Sequence, residues 1–332
     1  MTCLSNPSTR DQIQSAADRC LDFLASLFDE RGHSRIDPSS GGHHFKLPYV
    51  LNYGGRRDLA MRVLAHVAND LIQPDGQYKD AAANDSKGRY LYEAGWLAWG
   101  SVSLGRFDWA RKFAKQLAVQ QDPQWGGWFS DNEQGRVQRV LLCSGAMAGC
   151  AAAGELEAAT HGARYFERLL DRQPEPDRRF YYNLGEDGEV VTAPTDDPTM
   201  GCYDFHDHVR PAHFAPVIAG LTWLGEHTGN ETHFNTARRF ADVLLSNPNA
   251  SASPFASKSG WAALMLHRHR PSDDLVEYAQ AIGKALIKRQ QDDGRIDITD
   301  GPGLEGGQSD AISIATTCDW TVTAIALVNG AA

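Results

Sequence analysis

Two kinds of apolar pattern alternate along this 332-residue chain, at intervals of roughly 45 to 50 residues, a spacing typical of repeat architectures. In the first kind, apolar residues recur in steps of three and four, as at Ala60, Leu64, Val67 and Leu71. The second kind is apolar nearly all round and rich in Ala and Gly, as in RVLLCSGAMAGCAAAG. An amphipathic helix covers a core and an all-apolar helix is surrounded by other helices, so the alternation predicts an outer and an inner layer.

The alternation predicts six helical hairpins. Six amphipathic segments, the first of which carries Ile13, Ala17 and Cys20, alternate with buried segments such as YLYEAGWLAWGSVSLG and CDWTVTAIALVNGA. We therefore expect an all-α fold, an (α/α)6 toroid with inner and outer helix rings, formed as one barrel domain by residues 1–332. A closed ring needs no capping repeat, unlike the alternative, an open helical-repeat scaffold.

One repeated turn resembles a known family. The turn QQDPQWGGW, which follows KFAKQL, is similar to the glutamine-tryptophan repeat of the terpenoid cyclase and protein prenyltransferase toroids, and QQDDGRI is a weaker copy. Six-hairpin glycosidases and polysaccharide lyases share that architecture. The resemblance implies the toroid fold over the whole chain and no particular activity. The DxDD motif of protonation-type cyclases does not occur, and the one Asp-x-Cys pair, Asp18 and Cys20, lies in an outer helix, so both named activities are disfavoured.

The length of each connection depends on which kind of helix it leads into. Those from a buried to an amphipathic helix are short, as in LGRFD and AGELE, whereas those into a buried helix are long. Long loops usually carry function, so we expect the linkers to converge over one mouth of the ring. Helix N-termini aimed at that mouth favour an anionic or carbonyl-bearing ligand.

The linker segment CYDFHDHVRPAHF is the densest in chemistry-bearing side chains. In an extended segment, Asp204, His206 and His208 face one way, and a histidine oriented by a carboxylate is a ready general acid or base near neutral pH. We predict these three as catalytic residues; the alternative is a surface loop whose acids cap the next helix. The HxH pair also suits a divalent cation, but no third ligand is evident, so we expect no bound metal.

Two carboxylates in buried helices complete the predicted catalytic set. Glu93 lies one turn inside an inner helix, where burial raises a carboxyl pKa and makes the group a proton donor; an ion pair with arginine is the alternative. Asp319 is likewise either a proton donor or a structural group, and its structural role would be to cap the helix. The predicted substrate contacts lie at the same helix entrances: His43, His44, Lys46, Tyr49, Tyr90, Tyr92, Trp96, Trp128, Asp131, Tyr203, Arg210, His213, Trp261 and Trp320.

The sequence carries no phosphate-binding lysine loop, nucleophile elbow or dinucleotide-binding unit, so we expect no cofactor. An aromatic pocket with acid-base histidines suits a small hydrophobic or carbonyl-bearing substrate. The leading expectation is a cofactor-free cyclase or isomerase, such as a pericyclase or Diels-Alderase-like enzyme of natural-product or terpenoid biosynthesis. One alternative is a carbohydrate-active lyase or glycoside hydrolase on an (α/α)6 barrel, and another is a non-enzymatic helical-repeat binding scaffold.

The net charge and the N-terminal sequence indicate which classes of partner to expect. The formal net charge is −10, and clustered Lys and Arg are lacking, so a nucleic-acid partner is not expected. The segment MTCLSNPSTRDQ shows no basic stretch followed by an apolar run. We also expect no segment of the chain to reach the ~20 apolar residues of a membrane helix. We therefore expect a cytoplasmic protein without a membrane span. The sequence leaves the oligomeric state open.

Overall fold

The structure is a computed structural model and describes residues 6–79, 88–196, 198–207, 209–301, 304 and 307–330. Within these residues, twelve helices of seven residues or more alternate between two rings. The outer helices are α1 (Pro7–Ser26), α3 (Arg57–His66), α5 (Phe107–Val119), α7 (Leu156–Asp171), α9 (Glu231–Leu245) and α11 (Asp273–Arg289). The inner helices are α2 (Leu47–Tyr53), α4 (Arg89–Ser103), α6 (Val140–Ala153), α8 (Ala215–Thr228), α10 (Ser259–His267) and α12 (Asp310–Asn329).

The ring of inner helices is closed. Each inner helix contacts the next along the chain, and α12 returns to contact α2. The outer helix α1 packs against α12, which joins the first hairpin to the last. The predicted (α/α)6 toroid is thus confirmed, and the open scaffold is not what the chain forms.

Glycines set the spacing between α4 and α6. A Cβ atom on Gly95 would lie 1.9 Å from the carbonyl oxygen of Gly145, and one on Gly149 would lie 2.6 Å from the Cα of Gly95. No side chain fits between backbones at that separation. The small residues of the buried segments therefore let two inner helices touch directly, as a tight inner ring requires.

The repeated turn after an outer helix joins that helix to the next outer helix. The side-chain amide of Gln121 donates to the carbonyl of Ala158 in α7 at 2.9 Å. In the same way, Gln290 donates to the carbonyl of Ala16 in α1 at 2.7 Å. These glutamines therefore hold neighbouring hairpins together, and the second of them does so where the ring closes.

Short strands in two linkers were not predicted. β1 (Phe129–Asn132) and β2 (Gly135–Arg139) form an antiparallel hairpin, and β4 (Asn183–Leu184) pairs with the free edge of β2. β3 (Arg179–Tyr181) pairs antiparallel with β5 (Cys202–Asp204). These strands fix the paths of the linkers that lead into α6 and α8.

The expectation that no segment is long and apolar enough to cross a membrane is wrong for α12. It is 20 residues long with a mean hydropathy of 1.5, so by length and composition it reaches the range of a membrane-crossing helix. However, 78% of its most apolar window is buried inside the ring. Its apolar surface is covered on all sides because it is an inner helix.

Candidate active site at the mouth of the ring

A cavity of about 550 Å³ opens where the inner helices begin; we call it the mouth cavity. All six inner-helix entrances contribute to its wall. Its lining includes Phe45, Lys46, Arg89, Tyr92, Glu93, Leu141, Arg210, His213, Phe255, Lys258, Ile312 and Asp319. The convergence of the long linkers on this mouth explains how one cavity draws on every hairpin.

A second depression lies on the outer ring. It measures about 700 Å³ and is lined by residues at the end of α5 and the start of α7, including Glu155, Glu157 and His161. Its lining comes from only two hairpins and is largely exposed to solvent. The mouth cavity is the stronger candidate because its ionisable groups are buried and converge from the whole ring.

Asp319 is held between two lysines in the wall of the mouth cavity. Its two carboxylate oxygens lie 2.7 Å from Lys46 Nζ and 2.7 Å from Lys258 Nζ. The three side chains are 9%, 5% and 4% exposed. Each lysine directly precedes an inner helix, where the positive end of the helix dipole disfavours a cation. The carboxylate of Asp319 offsets that unfavourable placement.

Glu93 is a buried carboxyl group in the same wall. Burial raises its pKa above the usual glutamate range, and the nearby Arg89 guanidinium opposes that effect without cancelling it. Arg89 Nε donates to Glu93 Oε1 at 2.5 Å. Glu93 therefore keeps its proton to a higher pH than an exposed glutamate, as a general acid should.

His213 is a buried histidine at the entrance of α8. Burial lowers its pKa well below the usual histidine range, and the positive charges of Arg210 and Lys258 lower it further. Its ring packs edge-on against Tyr182 at a centroid distance of 4.9 Å. At neutral pH the imidazole is therefore uncharged and can accept a proton.

The charge of the mouth cavity is opposite to that of the chain. Four cationic side chains line its described wall, against the two carboxylates of Glu93 and Asp319. The N-termini of the inner helices add partial positive charge at the same place. The cavity is therefore suited to an anionic ligand although the chain carries a formal net charge of −10.

Aromatic rings fill the axis of the barrel beyond the cavity. Trp96 and Trp99 of α4 contact Trp261 of α10 at centroid distances of 5.9 and 5.2 Å, and Tyr49 of α2 contacts all three. Because α4 and α10 are not neighbours in the ring, these contacts cross its centre. We call these four residues the aromatic plug.

The structure brings together six of the residues that the sequence predicted for the site. They line the mouth cavity: Lys46, Tyr92, Glu93, Arg210, His213 and Asp319. Tyr49, Trp96 and Trp261 lie instead in the aromatic plug, and Trp320 is fully buried among the helices.

Other predicted contacts lie behind the wall. His44 is fully buried, its Nε2 accepts from the backbone N–H of Ser34 at 3.2 Å, and His43 Nδ1 lies 3.3 Å from the Ser34 hydroxyl. The Tyr90 hydroxyl donates to the Gly76 carbonyl at 2.5 Å. These three side chains hold the linkers before α2 and α4 in place.

The first part of the histidine-rich segment, from Tyr203 to Asp207, lies outside the described cavity wall, whereas Arg210 and His213 of the same segment line it. Asp204 is paired with Arg179 at 3.4 Å and accepts from the backbone N–H of His206, whose side chain is exposed. His208 lies outside the described residues. The Tyr203 hydroxyl donates to the Leu244 carbonyl at 2.6 Å, away from the mouth.

Two more predicted contacts also lie away from the mouth. Asp131 is exposed on β1. Trp128 is fully buried, and its indole N–H donates to the Leu117 carbonyl at 2.8 Å. Trp128 therefore anchors the repeated turn to the end of α5.

Sequence reasoning missed two cations of the cavity, Arg89 and Lys258. A signal for Lys258 was present: like Lys46, it directly precedes a buried segment that begins with small or apolar residues. A cation at a helix N-terminus is electrostatically unfavourable, so its occurrence before two inner helices indicates another role. Arg89 gave no such signal, because nothing in the sequence of the linker before it marks this arginine as part of a site.

Comparison with known proteins identifies the architecture. The sequence matches no protein-family model and no curated protein. Among solved structures, it is similar to an unsaturated glucuronyl hydrolase specific for heparin (TM-score 0.64, 12% identity, 96% of this chain and 97% of that one). It is also similar to a D-mannose isomerase (TM-score 0.65, 10% identity, 98% and 99%) and to the GH76 α-mannanase BT2949 of Bacteroides thetaiotaomicron (TM-score 0.64, 13% identity, 96% and 95%). The chain therefore has the (α/α)6 barrel fold of the six-hairpin glycosidase-like proteins.

Proposed function

We propose that this chain is a carbohydrate-active enzyme that acts on an acidic sugar residue. The observation that carries the proposal is the excess of cations around the mouth cavity, at the N-termini of the inner helices, where Lys46 and Lys258 are buried, Arg210 is half-buried and Arg89 is exposed. The names of the similar structures support the substrate class, since a glucuronyl hydrolase, a mannanase and a mannose isomerase all act on sugars. The carbohydrate alternative is therefore preferred to the cyclase expectation.

The number of charged groups in the cavity favours a charged substrate over the hydrophobic one that the sequence suggested. A hydrophobic substrate folded for cyclisation requires a largely apolar, aromatic surface. Here the aromatic rings of Phe45, Tyr92 and Phe255 share the wall with four cationic side chains and the carboxyl groups of Glu93 and Asp319. None of the three similar structures is named as a terpenoid cyclase.

The proposed reaction is hydrolysis of a bond to the acidic sugar. Lys46, Lys258 and Arg210 bind the sugar carboxylate. Glu93, which keeps its proton because burial raises its pKa, donates that proton to the leaving oxygen. A water molecule supplies the new bond to carbon and gives its proton to the neutral imidazole of His213.

A second candidate reaction is isomerisation of an aldose. It is favoured by one observation, the presence of a neutral histidine and a protonated carboxyl group in the same cavity. Such a pair can move a proton between adjacent carbons through an enediol. Isomerisation leaves the number of sugar molecules unchanged, which separates it from hydrolysis.

The test is a substrate panel followed by nuclear magnetic resonance. The panel contains unsaturated glucuronyl disaccharides, the matching uncharged disaccharides and D-mannose. We expect turnover of the acidic disaccharides with release of a new reducing end. Exclusive turnover of D-mannose would establish the isomerase instead, and turnover of none of them would overturn the proposal.

The variant Glu93→Gln should lower kcat at least about a hundredfold, because amide cannot donate the proton of a general acid. In the unaltered enzyme, activity should fall as pH rises through the raised pKa of Glu93, and on the acid side only at pH values well below the usual histidine range. The control is Glu157→Gln on the exposed face of α7, which should retain full activity. Unchanged kcat in Glu93→Gln would remove Glu93 from the mechanism.

A further inference from the structure

Two histidines and one aspartate meet outside the mouth cavity, where the first linker crosses the end of α3. His33 comes from the linker, and His66 and Asp70 flank the transition of α3 into the π-helical turn Val67–Leu71. One potential ligand atom from each lies within 4.8 Å of the others. The His33 and His66 rings have a centroid distance of 4.2 Å.

The hydrogen bonds of His66 leave one ring nitrogen facing a carboxylate. His66 Nε2 lies 2.9 Å from the carbonyl oxygen of Pro38, which can only accept, so Nε2 carries the proton. His66 Nδ1 lies 2.8 Å from Asp70 Oδ2. In a neutral ring, Nδ1 and the carboxylate would present lone pairs to each other, so a positive charge is required between them. That charge is a second ring proton or a metal ion.

The separation between His66 Nδ1 and Asp70 Oδ2 fits a shared proton as well as a metal ion, and the nearby ring of His33, as a third potential ligand, favours the ion. Two atoms each about 2.0 Å from one zinc ion lie roughly 2.8 to 3.3 Å apart, which matches the separation between His66 Nδ1 and Asp70 Oδ2. His33 Nε2 lies 3.9 Å from the same oxygen of Asp70 and supplies the third ligand after a small movement. The side chains of His33 and Asp70 are 33% and 57% exposed, so an ion can enter from solvent.

The surroundings of His66 resemble the outer shell of a metal centre. Metal-binding histidines usually donate their other ring N–H to a carbonyl or carboxylate. His66 does so toward Pro38, whereas His33 Nδ1 lies 3.6 Å from Asp29 Oδ2, just beyond hydrogen-bond distance. The adjacent His44 is not a ligand, because its two nitrogens are already engaged with backbone groups.

We propose that His33 Nε2, His66 Nδ1 and Asp70 Oδ2 bind a divalent transition-metal ion, with zinc as the best match. Imidazole and carboxylate ligands in this ratio suit zinc, and the three protein ligands leave a fourth position for water. The ion ties the first linker to α3. That linker continues into Lys46, so the site steadies one cation of the mouth cavity.

Zinc titration of the full chain by isothermal calorimetry tests the site. We expect one high-affinity equivalent near neutral pH and a higher melting temperature with zinc. The variants His33→Ala and Asp70→Asn should each weaken zinc binding roughly tenfold or more. Both residues are exposed enough that their replacement leaves the fold intact, which circular dichroism would check.

The matched control is His269→Ala. His269 lies 2.5 Å from Glu226 in a half-buried histidine-carboxylate pair, and no third metal-binding side chain joins this pair in the part of the chain that the structure describes. This variant should bind zinc as the unaltered chain does. Cobalt substitution adds a second readout, because thiolate bands in its spectrum would assign the metal to a cysteine. Three results would overturn the proposal: no zinc binding by the unaltered chain, cobalt-thiolate bands, or ligand variants that bind zinc as tightly as the unaltered chain.

Discussion

Two lysines occupy positions that helix electrostatics disfavours. Lys46 and Lys258 each precede an inner helix, and both are buried against the carboxylate of Asp319. A carboxylate between two ammonium groups leaves a net positive charge that a ligand carboxylate can neutralise. The stability of this cluster and the proposed binding of an acidic sugar therefore depend on the same residue.

Replacing Asp319 with Asn should lower the free energy of unfolding by about 3 kcal/mol, because it leaves two buried ammonium groups without their counter-charge. Urea unfolding measures the change. The control is Asp310→Asn at the exposed start of the same helix, which should cost under about 1 kcal/mol. Equal stability of Asp319→Asn and the unaltered chain would contradict the proposed role of the cluster.

Individual residues were predictable where the helix pattern placed them. Glu93 lines the cavity from one turn inside an inner helix, as the sequence pattern predicted. Asp319 also lines the cavity, but it does not cap its helix, because α12 begins at Asp310 and is capped by Ser309. The position of Asp204 and His206 depends instead on the pairing of β5 with β3, which orients the segment outward. A local count of chemistry-bearing residues carries no information about that pairing.

At the scale of elements, the apolar periods predicted the helices well. The outer helix α7 is buried along one face, as its apolar steps of three and four predicted. The inner helix α6 is buried on nearly all sides, as its continuous apolar sequence predicted. The strands were not predictable, since β2 and β4 each pair over a few residues and lie over forty residues apart in the chain.

The contact of α4 with α6 provides a test of element packing. Gly95→Ala should lower the free energy of unfolding by about 3 kcal/mol, because its Cβ would meet the backbone of Gly145 and the backbones cannot yield. The measurement is chemical unfolding followed by circular dichroism.

Gly162→Ala in α7 is the matched control for this substitution. A Cβ there would meet side-chain atoms of Met147 at 3.1 Å and Trp128 at 3.2 Å and no backbone atom at such a distance, so a small shift of side chains can accommodate it. We expect a change of about 1 kcal/mol or less, since alanine also favours the helix. Similar losses in both variants would show that backbone contact does not set the spacing of α4 and α6.

At the scale of the whole molecule, the repeat predicted a ring, but its closure depends on contacts between distant parts of the chain. Gln290 makes one of these contacts with α1, and the packing of α1 on α12 makes another. The repeated glutamine was visible in the sequence as part of a turn. Its bond to the next outer helix was not visible, because the acceptor is a backbone carbonyl that any residue could supply.

Gln290→Ala should lower the free energy of unfolding by about 1 to 2 kcal/mol and increase hydrogen exchange in α1. Gln73→Ala is the control, because the Gln73 amide donates to the Tyr78 carbonyl inside its own turn at 3.1 Å. The control should leave exchange in α1 unchanged. If both variants expose α1 equally, the glutamine at the closure has no special role in holding the ring shut.

The aromatic plug makes the barrel a dead end. Trp96, Trp99 and Trp261 are each at most 2% exposed, so nothing passes along the axis from one side to the other. A polymer therefore cannot thread through the barrel along its axis. In the proposed function, substrate enters the mouth cavity and product leaves it through the same opening.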